Sequence, residues 1–158
     1  MKLDQKRRVF LKGSVAATTV GFAVGAGLLT PGAVLAAWNK SAFDAKAIDK
    51  AIGAAVGNPT TTPSDKITIK APDIAENGAV VPVSIVANMD GVDTIALLVE
   101  KNANPLSAIF HLPKGTLPDV STRVKMGKTG DVVAVVKAGG KLYSARKGVK
   151  VTIGGCGG

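Results

Sequence analysis

The run Asp131-Val132-Val133-Ala134-Val135-Val136-Lys137, followed by Ala138-Gly139-Gly140-Lys141 and then Leu142-Tyr143-Ser144, is the stretch that decides the fold of this chain. A β-branched run that stops at two consecutive glycines and then restarts reads as two strands joined by a hairpin. The same pattern extends outward in both directions. Short β-branched segments occupy Lys66 to Lys70, Ala79 to Ala87, Thr94 to Glu100, Leu106 to Leu112, Ser121 to Met126, Lys141 to Ser144 and Val149 to Ile153. Turn residues separate them: Gly78, Asn88 to Gly91, Asn102 to Pro105, Pro113 to Gly115 and Gly127 to Gly130. Seven or eight such strands in about 90 residues, with no helix between them, predict a mainly β chain folded as an antiparallel, immunoglobulin-like sandwich. Residues 64–153 form this expected domain. Its last strand runs directly into Gly154-Gly155-Cys156-Gly157-Gly158, so the terminal arm, residues 154–158, is anchored in the sheet.

Ahead of the sandwich the period changes. Phe43, Ala47, Ile48, Ala51, Ile52 and Ala55 recur at helical spacing, while Lys46, Asp49 and Lys50 fall elsewhere. Ser41 as cap with Asp44 three residues later completes an expected amphipathic helix over 41–56. Gly57-Asn58-Pro59 stops it, and a polar linker from Thr60 to Ser64 follows. Residues 37–63 are thus read as an N-terminal helix and linker. Its apolar stripe suits either a partner or the chain's own core.

The first 36 residues read as an export leader. Lys6-Arg7-Arg8-Val9-Phe10-Leu11-Lys12 precedes 25 uncharged residues, Gly13 to Ala37. The Arg7-Arg8 pair resembles a twin-arginine signal, which carries folded cargo through the twin-arginine translocase to the periplasm. Val34-Leu35-Ala36 offers the cleavage site. Residues 1–37 hold five Lys or Arg and one acid, so the formal charge of +9 falls to +5 for the remainder. That suits anionic small molecules or acidic partner surfaces. One tyrosine and one tryptophan are thin material for base stacking, which argues against nucleic acid.

Cys156 is the only cysteine. A single thiol excludes an intrachain disulfide framework and a thiolate metal cluster, which leaves intermolecular chemistry. Four flanking glycines give it little to pack against and let the arm thread a narrow pocket where a Cβ would clash. From Ile153 the sulfur reaches about 10 Å at 3.3 to 3.6 Å per residue. Arg146, Lys147 and Lys150, just before the arm, are candidates for attracting an anion and stabilising the thiolate. His111, the only histidine, lies in an apolar strand and reads as structural rather than as a ligand or base. No Ser/His/Asp set, metal-ligand spacing or phosphate loop stands out, and the residues call for no cofactor.

With tail, leader and sandwich in view, the chain resembles the SoxY family, the sulfur carriers of the periplasmic sulfur-oxidation (Sox) system. The Gly154-Gly155-Cys156-Gly157-Gly158 terminus after Val149-Lys150-Val151-Thr152-Ile153 is the most specific element. Ala75-Glu76-Asn77-Gly78 with Val81-Pro82-Val83, Asn104-Pro105 and Arg123-Val124-Lys125-Met126 also fit the family pattern. The resemblance implies a non-enzymatic carrier that pairs with SoxZ and holds sulfur intermediates on Cys156. It implies transient visits to SoxXA, SoxB and a sulfur dehydrogenase, with Gly154, Gly155, Gly157 and Gly158 keeping the arm slim and flexible. A competing expectation is an exported interaction module whose terminal cysteine forms an intermolecular disulfide. A thiol enzyme is the weaker third, because Cys156 would need a base and an oxyanion site that the sequence does not offer.

Overall fold

The computed structural model describes residues 39–152. The leader with Arg7 and Arg8, and the terminal segment with Cys156 and its four glycines, lie outside the described residues.

Two short helices open the described chain, α1 (Lys40–Asp44) and α2 (Ile48–Val56). The expected single helix over 41–56 is therefore broken, although Ala45-Lys46-Ala47 are good helix formers. Side chains from elsewhere intervene. Asn39, rather than Ser41, is the cap of α1: its Oδ1 accepts from the Ala42 amide, and Ser41 Oγ donates to the same oxygen. Asn39 Nδ2 donates to the Ala54 carbonyl at 2.7 Å, tying α1 to α2. At the break, Asn104 Nδ2 donates to the Phe43 carbonyl at 2.8 Å and Lys46 Nζ donates to Asn104 Oδ1. The sandwich thus supplies a donor to a carbonyl at the end of α1. The stop at Gly57 is as expected: φ is +90°, and its amide closes on the Gly53 carbonyl.

Nine strands follow: β1 (Thr62–Pro63), β2 (Ile67–Lys70), β3 (Ile74–Ala75), β4 (Val81–Ala87), β5 (Val92–Val99), β6 (Leu106–His111), β7 (Asp119–Val124), β8 (Gly130–Ala138) and β9 (Lys141–Val151). They form a large sheet in the order β1-β9-β8-β5-β6, with β3 also on β9, and a small sheet β2-β4-β7. Ile95, Leu97 and Val99 of β5 and Val132, Ala134 and Val136 of β8 face Val81, Val83 and Ile85 of β4 across the gap between sheets. The alternate residues Ala96, Leu98, Val133 and Val135 face the other way, onto Ala42, Ala51 and Ile52 of the helices. The described residues therefore form three layers, and the helical stripe serves their own core.

The sequence places the strands well but misjudges two features. The expected strands beginning at Lys141 and at Val149 are one strand, Lys141–Val151, because β8 pairs without interruption from Gly130 opposite Val149 to Ala138 opposite Lys141. The sandwich is also not wholly antiparallel. β1 joins the beginning of β9 in parallel at Tyr143 and Ser144, and β3 joins its end in parallel at Lys150 and Val151. The linker thus contributes a strand to the sheet. Among the described residues, the stretch of β9 between these two bridges lacks a strand neighbour on that side. There Lys147 occupies a position on the row Tyr143, Ala145, Val149, Val151 that faces the small sheet. A charge pointing inward at an open edge discourages pairing with another chain.

Candidate functional site

The element that matters for the arm is the end of β9, and three segments hold it. β3 lies alongside it: the Lys150 amide donates to Asp73 O at 2.9 Å and the Thr152 amide to Ala75 O at 3.1 Å. On its other side Thr129 Oγ1 accepts from the Val151 amide at 2.9 Å and lies 3.3 Å from the Val151 carbonyl oxygen, to which it donates. Below it sits Gly78. A Cβ built there would lie 2.4 Å from the Met126 carbonyl oxygen and 2.8 Å from Val151 Cγ1, so only glycine permits this approach. The Met126 amide returns a bond to Gly78 O at 2.6 Å. The arm thus departs from a root fixed on every side to Thr152.

Cys156 lies four positions beyond Thr152, which limits the thiol to about 14 Å from the root. β9 itself, 11 residues long, spans roughly 36 Å at ~3.3 Å per residue. That difference decides which cavities the arm can use. A cleft of about 600 Å³ lined by Gly57, Asn58, Thr60, Lys137, Lys141 and Tyr143 lies at the hairpin end, where β9 begins, and is out of reach of this chain's own thiol. A smaller cleft of about 300 Å³, lined among others by Asn102, Asn104, Arg123 and Lys125, opens at the arm end between the edges of β6 and β7.

Of the three cations expected to attract an anion, two are already paired. Arg146 lies 3.5 Å from Glu100 Oε1 and 3.8 Å from Asp131 Oδ2, on the helix side of the large sheet. Lys147 Nζ donates to Asp73 Oδ1 at 2.9 Å. The Lys147 ammonium, by hydrogen bond and by charge, holds the exposed Asp73 carboxyl below its ordinary range. Lys150 is exposed and has no carboxylate in ion-pair range among the described residues. His111 is exposed at the end of β6, with its backbone paired to Thr94.

The loops supply what the sequence reading missed. Lys101 lies between β5 and β6, and its side chain packs over Gly130. Lys125 and Lys128 lie between β7 and β8. Asn102 knits the two loops together, donating to Lys125 O at 2.7 Å and accepting from the Gly127 amide at 3.0 Å. Lys101, Lys125, Lys128 and Lys150 are thus gathered at the arm end although 49 positions separate the first from the last. The hairpin end is balanced instead, with Lys66, Lys114, Lys137 and Lys141 set against Asp65, Asp90, Asp93 and Asp119.

Comparison with known proteins agrees with this architecture. No curated relative matches the sequence. Among solved structures, the chain is similar to the sulfur carrier protein SoxY from Chlorobium limicola f thiosulfatophilum, at 46% identity and a TM-score of 0.61, covering 66% of this chain and 96% of that one. It shares its fold with a superoxide reductase (neelaredoxin) from Ignicoccus hospitalis, at 20% identity and a TM-score of 0.52, over 58% of this chain and 95% of that one. The family model described as sulfur oxidation protein SoxY matches residues 52–156, a span that runs from α2 through Cys156. With that match over most of its length and a sandwich of the same kind, the chain belongs to the SoxY family of sulfur oxidation proteins.

Proposed function

We infer that this member of the sulfur-carrier family holds its cargo covalently on Cys156, as thiosulfonate and persulfide adducts, and delivers it in turn to several enzymes. The observation that carries the reading is the lone cysteine four residues beyond a fixed root, inside the span matched by the family model. A thiolate is the nucleophile such chemistry needs. Loading joins the thiolate to the sulfane sulfur of thiosulfate, RS⁻ + S–SO₃²⁻ → RS–S–SO₃⁻ + 2e⁻, the electrons passing to the haems of SoxXA. Hydrolysis by SoxB then gives RS–S–SO₃⁻ + H₂O → RS–S⁻ + SO₄²⁻ + 2H⁺. A sulfur dehydrogenase oxidises the remaining sulfane sulfur. The carrier supplies position rather than catalysis: glycines at 154, 155, 157 and 158 keep the arm narrow enough for different clefts. SoxZ is the proposed stable partner, and twin-arginine export through Arg7 and Arg8 places the pair in the periplasm.

Intact-mass spectrometry tests this directly. Mature protein isolated without reductant from thiosulfate-grown cells carries added thiosulfonate or sulfane sulfur on Cys156, removable by reductant and absent from Cys156→Ser. A bare thiol, or only a protein–protein disulfide indifferent to thiosulfate, overturns the carrier reading in favour of an interaction module. In a reconstituted system Cys156→Ser folds and binds SoxZ normally but supports no thiosulfate oxidation.

A further inference from the structure

Two independent features converge on the end of the sandwich from which the arm leaves. The first is charge. Among the described residues, Lys101, Lys125, Lys128 and Lys150 gather there with no carboxylate in ion-pair range and outnumber Glu76, the exposed carboxylate of that end left outside an ion pair, whereas Arg146 and Lys147 are paired with Glu100, Asp131 and Asp73. The second is exposed apolar surface. Three large hydrophobic side chains are exposed among the described residues, and two of them, Ile74 at 56% and Val80 at 52%, flank the arm root. Ile74 lies in register beside Lys150 on β3, and Val80 sits one residue before β4, its amide closing the turn on Asn77 O. Both lie in the segment that holds Thr152 in place.

The geometry points to this end as a docking face for proteins with an acidic rim: Ile74 and Val80 make the apolar contact, and the four lysines orient the approach. Apolar residues within a charged surround are the ordinary anatomy of a protein interface. Charge complementarity selects the occupant, since an acidic surface is drawn to this end and a basic one repelled. The position gives the face its use. A partner seated on it lies within the roughly 14 Å that the arm can span from Thr152, so docking and delivery of the thiol become one event. The hairpin end, about 36 Å away along β9, carries the third exposed hydrophobic, Leu117 at 82%, but its charges balance and the arm does not reach it. This rests on the carrier reading for the identity of the partners, not for the location of the surface.

The test separates the two. The mature Cys156→Ser chain, in complex with SoxZ, is passed over immobilised SoxB and immobilised SoxXA, and association and dissociation rates are read at salt concentrations from 0.05 to about 0.3 M, where the screening length falls below ~10 Å. No sulfur chemistry is needed. Replacing Lys101, Lys125 and Lys128 with Gln is expected to slow association roughly tenfold at low salt and to flatten its salt dependence, with dissociation little changed. Ile74→Ser with Val80→Ser is expected to speed dissociation several-fold. Lys66→Gln with Lys114→Gln and Lys141→Gln, at the opposite end, changes neither rate. Association that ignores salt and the first triple variant, equal effects from the two ends, or no binding to either enzyme at any salt overturns the docking face. Steered association combined with no adduct on Cys156 in cells leaves the face standing and removes the carrier reading.

Discussion

At one end of the sandwich β8 turns into β9 through Gly139 and Gly140, with φ of +55° and +77° and no atom within 4 Å of a Cβ built on either. At the other end β9 runs on to Thr152, held by β3, Thr129 and the close approach of Gly78. Glycine matters at both, for opposite reasons. The hairpin glycines supply a left-handed backbone in open space, and Gly78 supplies an absence of volume in a crowded one. A turn in solvent only has to reverse the chain. A root that carries a terminal arm has to fix the last strand residue against the pull of whatever the arm enters.

The comparison is broken most severely at Gly78. Gly78→Ala forces its methyl group against the Met126 carbonyl and Val151, and backbone cannot yield as a side-chain tip can. A loss of about 2–3 kcal/mol is expected in urea unfolding, with protection from hydrogen exchange lost first at Val151 and Thr152. At the hairpin, Gly140→Ala meets only backbone strain and is expected to cost about 1 kcal/mol, while Gly139→Asn, which gives the favoured Asn-Gly pair, stays within a few tenths. A result in which Gly140→Ala is as damaging as Gly78→Ala would show that the two ends do not differ in the way the geometry says.

A finer cut separates root from fold. Thr129→Val keeps the shape and removes the hydroxyl that bonds the Val151 amide and carbonyl. About 1 kcal/mol is expected, concentrated in exchange of the arm-root amides, with the core strands β5 and β8 unmoved.

The two ends also differ in how far the sequence reveals them. Gly139-Gly140 between β-branched runs is a local signal, and it specified a hairpin that the structure contains. The root is assembled from residues that share no local pattern. Ala145-Arg146-Lys147-Gly148 has little strand propensity, yet it is strand because Val133, Val132 and Asp131 of β8 pair with it. β1 and β3 are two residues each, too short to show a period. The helix break at Ala45-Lys46-Ala47 comes from Asn104, about 60 positions on. Cys156 could be singled out from its count and its glycines alone. The pairing of Lys147 with Asp73 and of Arg146 with Glu100 could not, nor could the convergence of Lys101 with Lys125, because long-range partners leave no mark on spacing.

The smallest effect concerns the clamp that ties the β2–β3 loop to the open stretch of β9. Asp73 has its pKa lowered by Lys147, through the hydrogen bond first and then the charge. A carboxyl with a depressed folded value binds its proton more readily in the unfolded chain, so the ion pair adds stability above the unfolded pKa of about 3.9. That contribution disappears as pH falls through the lower folded value. Asp73→Asn should therefore leave unfolding curves at pH 7 nearly superimposable on the parent, because Asp73 is 89% exposed and solvent screens the pair. The difference between the two proteins should shrink further below about pH 4. Lys147→Met sharpens the point: if the ammonium's role on the inward row is to keep the edge of β9 from pairing with another chain, this variant gains self-association in sedimentation while Asp73→Asn does not, since only the first removes the charge from the edge.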